Sequence, residues 1–148
     1  MAGAATNPLR IRPLRPGEAW RPCYDQTLHS VGERRFEPRP GYRILGAFRD
    51  DRLVGCAEFS TCGLDDLLEA CEYHWANPRN GPFFREPSET DTRFLLLHSL
   101  WVDPPERYDG VGSALCARLA ALGLAAYCEF ADEWVCDWFH RCFCPAAE

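Results

Sequence analysis

Residues 94–124 read FLLLHSLWVDPPERYDGVGSALCARLAALGL, and most of the information on the architecture lies in this stretch. The near-continuous apolar run over 94–102 predicts a strand that is buried on both faces. Four apolar residues then recur at the spacing of one helical face, namely Val111, Leu115, Leu119 and Leu122. Gly123 is the predicted stop of that helix. The order is therefore strand, loop, helix.

The loop at 107–113 has the composition of a turn that binds phosphates. Gly110 and Gly112 have no Cβ atoms, so a ligand could approach the backbone there. Amides at a helix N-terminus favour a polyanion such as a pyrophosphate, to which Arg107 would add a charge-assisted contact. The plainer alternative is a tight turn that merely opens a helix. A Rossmann fingerprint is excluded because Leu115 stands in place of its third glycine, and a Walker loop because the chain has no Lys.

The segments before this unit predict further strands. Residues 9–14 alternate apolar and polar side chains, which indicates a first strand, and Pro13 within it suits a sheet edge. A helix with one apolar face is predicted over 20–31. Residues 42–48 and 53–59 are apolar runs around Asp50-Asp51, which predicts a β-hairpin.

A third helix with an acidic outer face is predicted from Leu64 to Trp75, and it is either a substrate lid or a solvated surface helix. Residues 77–92 have the composition of a loop. Residues 124–130 predict another strand, and Asp132 is a suitable N-cap for a last helix. Together these elements predict a single domain over 1–148 with a mixed α/β fold.

The composition of the 148 residues limits the class of function. The net charge is −6, and all sixteen basic residues are Arg scattered along the chain, which argues against nucleic-acid binding. An acidic balance suits a cationic substrate, although it also serves solubility. Nothing at the N-terminus resembles a signal peptide, and no apolar run approaches membrane-spanning length, so we expect a cytoplasmic protein without a membrane partner.

The nine cysteines include no CxxC pair and mostly lie among apolar residues, as reduced core cysteines do. Several potential metal ligands crowd the end of the chain: Cys128, Cys136, His140, Cys142 and Cys144. Their spacing does not fit a paired zinc motif, so no metal site is predicted. A metal-bound tail remains the alternative.

The sequence Arg107-Tyr108-Asp109-Gly110-Val111-Gly112 resembles the coenzyme A motif of the GNAT acetyltransferase superfamily, Arg/Gln-x-x-Gly-x-Gly/Ala, at every defined position. The preceding Leu100-Trp101-Val102-Asp103-Pro104 is similar to the strand ending of that family. The resemblance covers most of 9–143 and implies a mostly antiparallel sheet flanked by helices. It also implies that the backbone around Leu100, Trp101 and Val102 pairs with the pantetheine arm of acetyl-CoA, and that loop residues through Ser113 bind its pyrophosphate.

Transfer of an acyl group to an amine requires a base that accepts the proton of the amine. His98 is the first candidate, because four residues before Val102 it shares a face with Leu100 and Val102 if the strand is regular. By position it resembles a histidine of the arylalkylamine N-acetyltransferase branch, whereas the alternative is a core histidine. Glu58 is the second candidate base, unless it merely faces solvent.

Two departures from the family pattern concern the end of the chain. Trp138 stands about where many relatives carry an acidic tyrosine, and the sequence stops at Glu148 where relatives usually continue into further strands. This leaves a truncated enzyme, a domain that a partner completes, or a fold that has lost catalysis. A homodimer joined through sheet edges is also open.

Two functions follow from these observations. The first is direct transfer of an acetyl group from acetyl-CoA to a primary amine on a small molecule or a peptide. The alternative is a non-catalytic protein with a degenerate GNAT fold that binds acyl-CoA or another partner.

Overall fold

A computed structural model of the protein describes residues 7–23, 32–67, 69, 83–85, 89–107 and 109–128, with the backbone course alone for 83–85 and 128. Within these ranges there is one well-formed helix, α1 (Val111–Ala120), and a helical segment at 64–67. The strands are β1 (Leu9–Pro13), β2 (Ala19–Trp20), β3 (Arg34–Arg35), β4 (Tyr42–Arg49), β5 (Arg52–Cys62), β6 (Phe83–Arg85), β7 (Phe94–Val102) and β8 (Ala125–Cys128).

Six of these strands form one sheet in the order β1-β4-β5-β7-β8-β6, while β2 and β3 pair separately. Neighbours in the large sheet are antiparallel except β7 and β8, which are parallel. The predicted mixed fold with a mostly antiparallel sheet is thus confirmed. The predicted edge strand is confirmed as well, since β1 lies at one end of the sheet and contains Pro13.

The predicted hairpin is formed by β4 and β5, whose last register pair is Arg49 with Arg52. Asp50, in the connection, has φ 55°, a conformation that Asp tolerates better than most residues. The predicted strand at 94–102 is β7, with the same bounds.

Helix α1 packs on one face of the sheet, which we call the helix face. Its buried side chains Val111, Leu115 and Leu119 share a core cluster with four residues of β7: Leu95, Leu97, Leu100 and Val102. A Cβ atom on Gly55 would lie 2.8 Å from Val111 Cγ1, so the helix can come this close only because β5 has glycine there. The helix face is therefore a dry apolar core.

The opposite face of the sheet, which we call the far face, carries two smaller core clusters. One surrounds Trp20, Ile44 and Trp101, and the other surrounds Leu67 and Phe94. No helix that the structure describes has both the length and the apolar character that a bilayer crossing requires.

Several predicted elements need correction. Trp20 lies in β2 and not in a helix, because it pairs with Arg34, while 24–31 are outside the described residues. Residues 83–85 form a strand and not a loop, because β8 offers them a sheet edge.

Two leucines predicted on apolar helix faces are half exposed. Leu122 follows the end of α1 and is 51% exposed, and Leu64 is 52% exposed at the start of its helical segment, whereas Leu67 is buried. The rest of that predicted helix, beyond 69, and the predicted helix from Asp132 lie outside the described residues.

Candidate active site

A β-bulge in β7 sets the position of His98. Glu58 pairs with Ser99 and Phe59 pairs with Leu97, so His98 is an extra residue in the ladder with β5. An extra residue reverses the alternation of side chains beyond it. Leu97 and Leu100 consequently both lie on the helix face, although they are three positions apart and would lie on opposite faces of a regular strand.

The prediction that His98 shares a face with Leu100 and Val102 is therefore wrong, because it assumed a regular strand. His98 lies on the far face, where its Nε2 is 2.7 Å from Ser60 Oγ. Ser60 pairs in register with Leu96, whose side chain belongs to a far-face cluster.

Glu58 also lies on the far face and is only 7% exposed, so the alternative of a solvent-facing side chain is wrong. Its Oε2 accepts a hydrogen bond of 2.7 Å from Tyr42 Oη. Its Oε1, and the Oγ of the fully buried Ser99 opposite it, have no hydrogen-bond partner among the residues that the structure describes. Buried polar atoms are rarely left in this state, and each one calls for an explanation.

The two residues predicted as bases are thus brought onto one face, together with three residues that the prediction missed: Tyr42, Ser60 and Ser99. A signal for two of them was present in the hairpin. Alternation along β4 and β5 places Tyr42 opposite Ser60, and Ile44 opposite Glu58, on one face. The bulge that adds Ser99 has no comparable signal.

The loop between β7 and α1 contains the two glycines on which the coenzyme prediction rests. Gly110 has φ 87° and starts α1, and the carbonyl of Gly110 accepts a 2.9 Å hydrogen bond from the amide of Ala114. The amides of Gly112 and Ser113 therefore lie in the first turn, where a helix offers them no carbonyl of its own. Gly110 and Ser113 are exposed, so a ligand could reach this turn from solvent.

Arg107 takes part in holding the end of β7. Its Nε donates a 3.1 Å hydrogen bond to the carbonyl of Val102, and its backbone amide donates to Pro104. The side chain is half-buried beside the loop. Of the other predicted coenzyme-binding residues, Asp109 is exposed, Val111 is buried under the loop, and Tyr108 lies outside the described residues.

A cluster of ion pairs ties the loop to the hairpin. Arg49 Nε lies 3.0 Å from Glu106, and Arg52 pairs with both Asp103 at 2.8 Å and Glu106 at 3.0 Å. The hydrogen bond from Arg49 lowers the pKa of Glu106 below its usual value. The cluster fixes the short 3-10 turn Pro104–Glu106, from which the chain enters the loop.

Within the described residues, the C-terminal half of β7 has a neighbouring strand on one side only. The parallel ladder with β8 spans four pairs and ends at Leu97 with Cys128. Beyond that pair, residues 99–102 have β5 as their strand neighbour and no second one within the described chain. Leu100, Trp101 and Val102 are buried, so what this edge offers to a ligand is peptide groups.

The described part of the chain contains no group of three or more potential metal ligands. Three of its cysteines, Cys23, Cys56 and Cys116, are buried and reduced. Burial raises the pKa of Cys56 to about 12, and its thiol donates to the carbonyl of Arg21. Of the potential metal ligands at the end of the chain, Cys128 is described by its backbone alone, and the other four lie outside the described residues: Cys136, His140, Cys142 and Cys144. The metal prediction is therefore untested there.

None of the proteins of curated function matches this sequence. One solved structure with a similar fold is an aminoglycoside acetyltransferase, meta-AAC0020, from an uncultured soil metagenomic sample, in complex with trehalose. The two chains are 16% identical with a TM-score of 0.45, and the match covers 74% of this chain but only 61% of the other.

A family comparison covers more of the chain. Residues 14–137 match the model of the acetyltransferase (GNAT) family. That range includes both predicted bases and the whole glycine loop, and family members transfer acyl groups. The chain therefore belongs to the GNAT acetyltransferase family.

Proposed function

We propose that this protein transfers the acetyl group of acetyl-CoA directly to a primary amine. The observation that carries the proposal is the layout of β7. Its bulge places His98 on the same face as Glu58, and its C-terminal end leads into the glycine loop at the start of α1. A single strand thus connects a set of proton acceptors with an anion-binding turn.

The residues at the loop fit the diphosphate of a coenzyme. The first-turn amides of Gly112 and Ser113 would bind the phosphate oxygens, and the guanidinium of Arg107 would add positive charge beside them. The peptide groups at 99–102 would pair with the pantetheine arm, and the thioester of acetyl-CoA supplies the activated acyl group. Gly110 is needed for its backbone, because φ 87° is unfavourable for any residue with a Cβ.

The far face carries side chains that could accept a proton from the acceptor amine. An alkylammonium and a thioester give an amide, a thiol and one released proton, so the site must accept a proton before the nitrogen can attack. His98 and Glu58 would take this role, with Ser60 orienting the imidazole through the 2.7 Å contact to Nε2. The second proton on the attacking nitrogen leaves with the thiolate, which it converts to the thiol.

The acceptor belongs to the class of small-molecule or peptide amines. The buried carboxylate of Glu58 favours a cationic group, and the apolar side chains on both sides of it favour an acceptor with an apolar body. We place the activity in the cytoplasm. The non-catalytic alternative drew on Trp138, and membership of the GNAT acetyltransferase family counts against it.

Titration calorimetry with acetyl-CoA tests the coenzyme site. Gly110→Ala should weaken binding at least tenfold, because it disturbs the loop backbone. Gly17→Ala is the matched control, since Gly17 also has a positive φ, 82°, and open space around it, but lies far from the loop in sequence. Equal affinity for all three proteins would contradict the coenzyme assignment.

Thiol release over a panel of arylalkylamines, polyamines, amino sugars and short peptides tests the transfer. The chain has no Lys, so no lysine amine of the enzyme competes as acceptor. Binding of acetyl-CoA without thiol release for any amine would reject the proposed reaction. Unchanged turnover in His98→Ala would remove His98 from the base role.

A further inference from the structure

A tight turn places Tyr42 at the start of β4. The segment Arg39-Pro40-Gly41-Tyr42 has Gly41 at φ 71° and a 3.1 Å hydrogen bond from the Tyr42 amide to the Arg39 carbonyl, which are features of a type II turn with Pro at its second position. The turn is also fixed to β5. The carbonyl of Gly41 accepts a 2.7 Å hydrogen bond from Thr61, and a Cβ on Gly41 would lie 2.8 Å from the Thr61 carbonyl.

The ring of Tyr42 is held on two sides. The Arg39 guanidinium lies 4.0 Å from the ring centroid, and the Phe36 ring stacks at 6.0 Å. Tyr42 is itself buried, so its phenol has little rotational freedom. The direction of its O–H toward Glu58 is therefore determined by the surrounding protein.

The hydrogen bonds of the Glu58 carboxylate are asymmetric. Oε2 accepts from Tyr42 at 2.7 Å, while Oε1 is buried and accepts from none of the described residues. Opposite it, the hydroxyl of Ser99 is equally without a partner within the same part of the chain. A carboxylate that served only to anchor the hairpin would gain by having both oxygens bonded, because an unsatisfied buried acceptor costs stability.

We propose that Tyr42 is a positioning residue of the transfer reaction. It holds Oε2 of Glu58 and thereby presents Oε1 as the oxygen that receives the proton of the acceptor ammonium. The inference rests on the proposed acetyl transfer. It adds that the two oxygens of the Glu58 carboxylate have different roles, one as the acceptor of the Tyr42 hydrogen bond and the other as the proton acceptor. Tyr42 makes no contact with the reacting atoms and acts through Glu58.

A double-mutant cycle on turnover tests this role. Tyr42→Phe keeps the ring and removes the O–H, and we expect kcat to fall about tenfold or more with the KM for acetyl-CoA unchanged. Glu58→Gln should lower kcat by roughly 10²–10⁴-fold. In the Glu58→Gln background, Tyr42→Phe should have no further effect on kcat, because the group through which it acts is gone.

Tyr127→Phe is the matched control. It removes the hydroxyl of a buried tyrosine in the other far-face cluster, and its effect on kcat should be the same in the wild-type background as in the Glu58→Gln background. Thermal unfolding of every variant checks that the fold is retained.

The outcomes separate this inference from the proposed function. If the wild type is active and the reductions of kcat caused by Tyr42→Phe and by Glu58→Gln multiply in the double mutant, the positioning role is overturned and the proposed reaction is not. A normal kcat in Glu58→Gln would have the same consequence. Absence of wild-type turnover with every amine would overturn the proposed reaction and this inference with it.

Discussion

The two faces of β7 carry different kinds of side chain, although the strand is only nine residues long. On the helix face, leucines and valine meet α1 in one continuous apolar cluster. On the far face, Ser99 and His98 lie between two smaller clusters, opposite a buried glutamate. The helix face gains free energy by excluding water, whereas the far face buries Glu58 Oε1 and Ser99 Oγ without a hydrogen-bond partner among the described residues, at a cost in stability. If the proposed function is correct, the residues that stabilise the fold and the residues that transfer the proton lie on opposite faces of one sheet.

The largest expected effect tests the helix face. Leu97→Ala removes a fully buried side chain from the cluster under α1 and should lower the free energy of unfolding by about 2–5 kcal/mol. Leu122→Ala, on a half-exposed leucine, should change it by less than about 0.5 kcal/mol. Chemical denaturation measures both, and similar losses in the two variants would contradict the assignment of the core.

The contact between β5 and α1 gives the next effect. Gly55→Ala would place a Cβ 2.8 Å from Val111 Cγ1 and 3.1 Å from the Trp101 carbonyl, so the helix must shift, at a cost of about 1–3 kcal/mol. Because α1 carries the first-turn amides, affinity for acetyl-CoA should fall as well. Gly63→Ala is the control, since Gly63 is exposed with open space around it. Unchanged affinity in Gly55→Ala would mean that the loop does not depend on the seating of the helix.

Ser99→Ala should leave the free energy of unfolding nearly unchanged, in contrast to Leu97→Ala on the same strand. Removal of a buried hydroxyl that has no partner among the described residues should leave the free energy of unfolding within about 1 kcal/mol of the wild type, or raise it. Turnover should fall if the hydroxyl meets the acceptor. Denaturation and thiol release together decide this, and a loss of stability as large as that of Leu97→Ala would contradict the contrast between the faces.

The smallest effect concerns the ion cluster that holds the loop entrance. The pKa of Glu106 is lowered, first by the hydrogen bond from Arg49, from an ordinary value near 4.5. Its contribution to stability is therefore complete above that value and is lost as the pH falls through the lowered pKa of the folded state. Glu106→Gln should narrow the difference in stability between neutral and acidic pH, and Arg49→Gln should do the same. An unchanged pH dependence in both variants would contradict the pairing.

Local patterns in the sequence were sufficient for the elements that local physics determines. The apolar run of β7, the hairpin around Asp50-Asp51 and the helix start at Gly110 each carry their own signal. Elements that depend on distant partners were missed. The short β6 forms because β8 offers it an edge, and Trp20 is extended because it pairs with Arg34.

The candidate site was half predicted for the same reason. The residue types of His98 and Glu58 pointed to proton transfer, but their common face depends on a bulge that no glycine or proline marks. The turn at Pro40-Gly41 had a recognisable composition, yet its role becomes visible only once Tyr42 is seen to reach Glu58 across the hairpin. The residue types could be read from the sequence, whereas the register between neighbouring strands, which brings the side chains together, could not.

The bulge at His98 divides β7 into two parts with opposite side-chain alternation. Before it, odd-numbered residues face α1, and after it, even-numbered residues do. Deletion of His98 would leave Leu97 opposite Phe59 and Ser99 opposite Glu58, so the ladder would become regular and both faces would keep their side chains. A one-residue deletion elsewhere in β7 would instead shift part of the strand by one residue and move leucine side chains onto the far face. Such a deletion should be tolerated far less well than one in the connection at Asp50-Asp51, which ends a ladder instead of interrupting one.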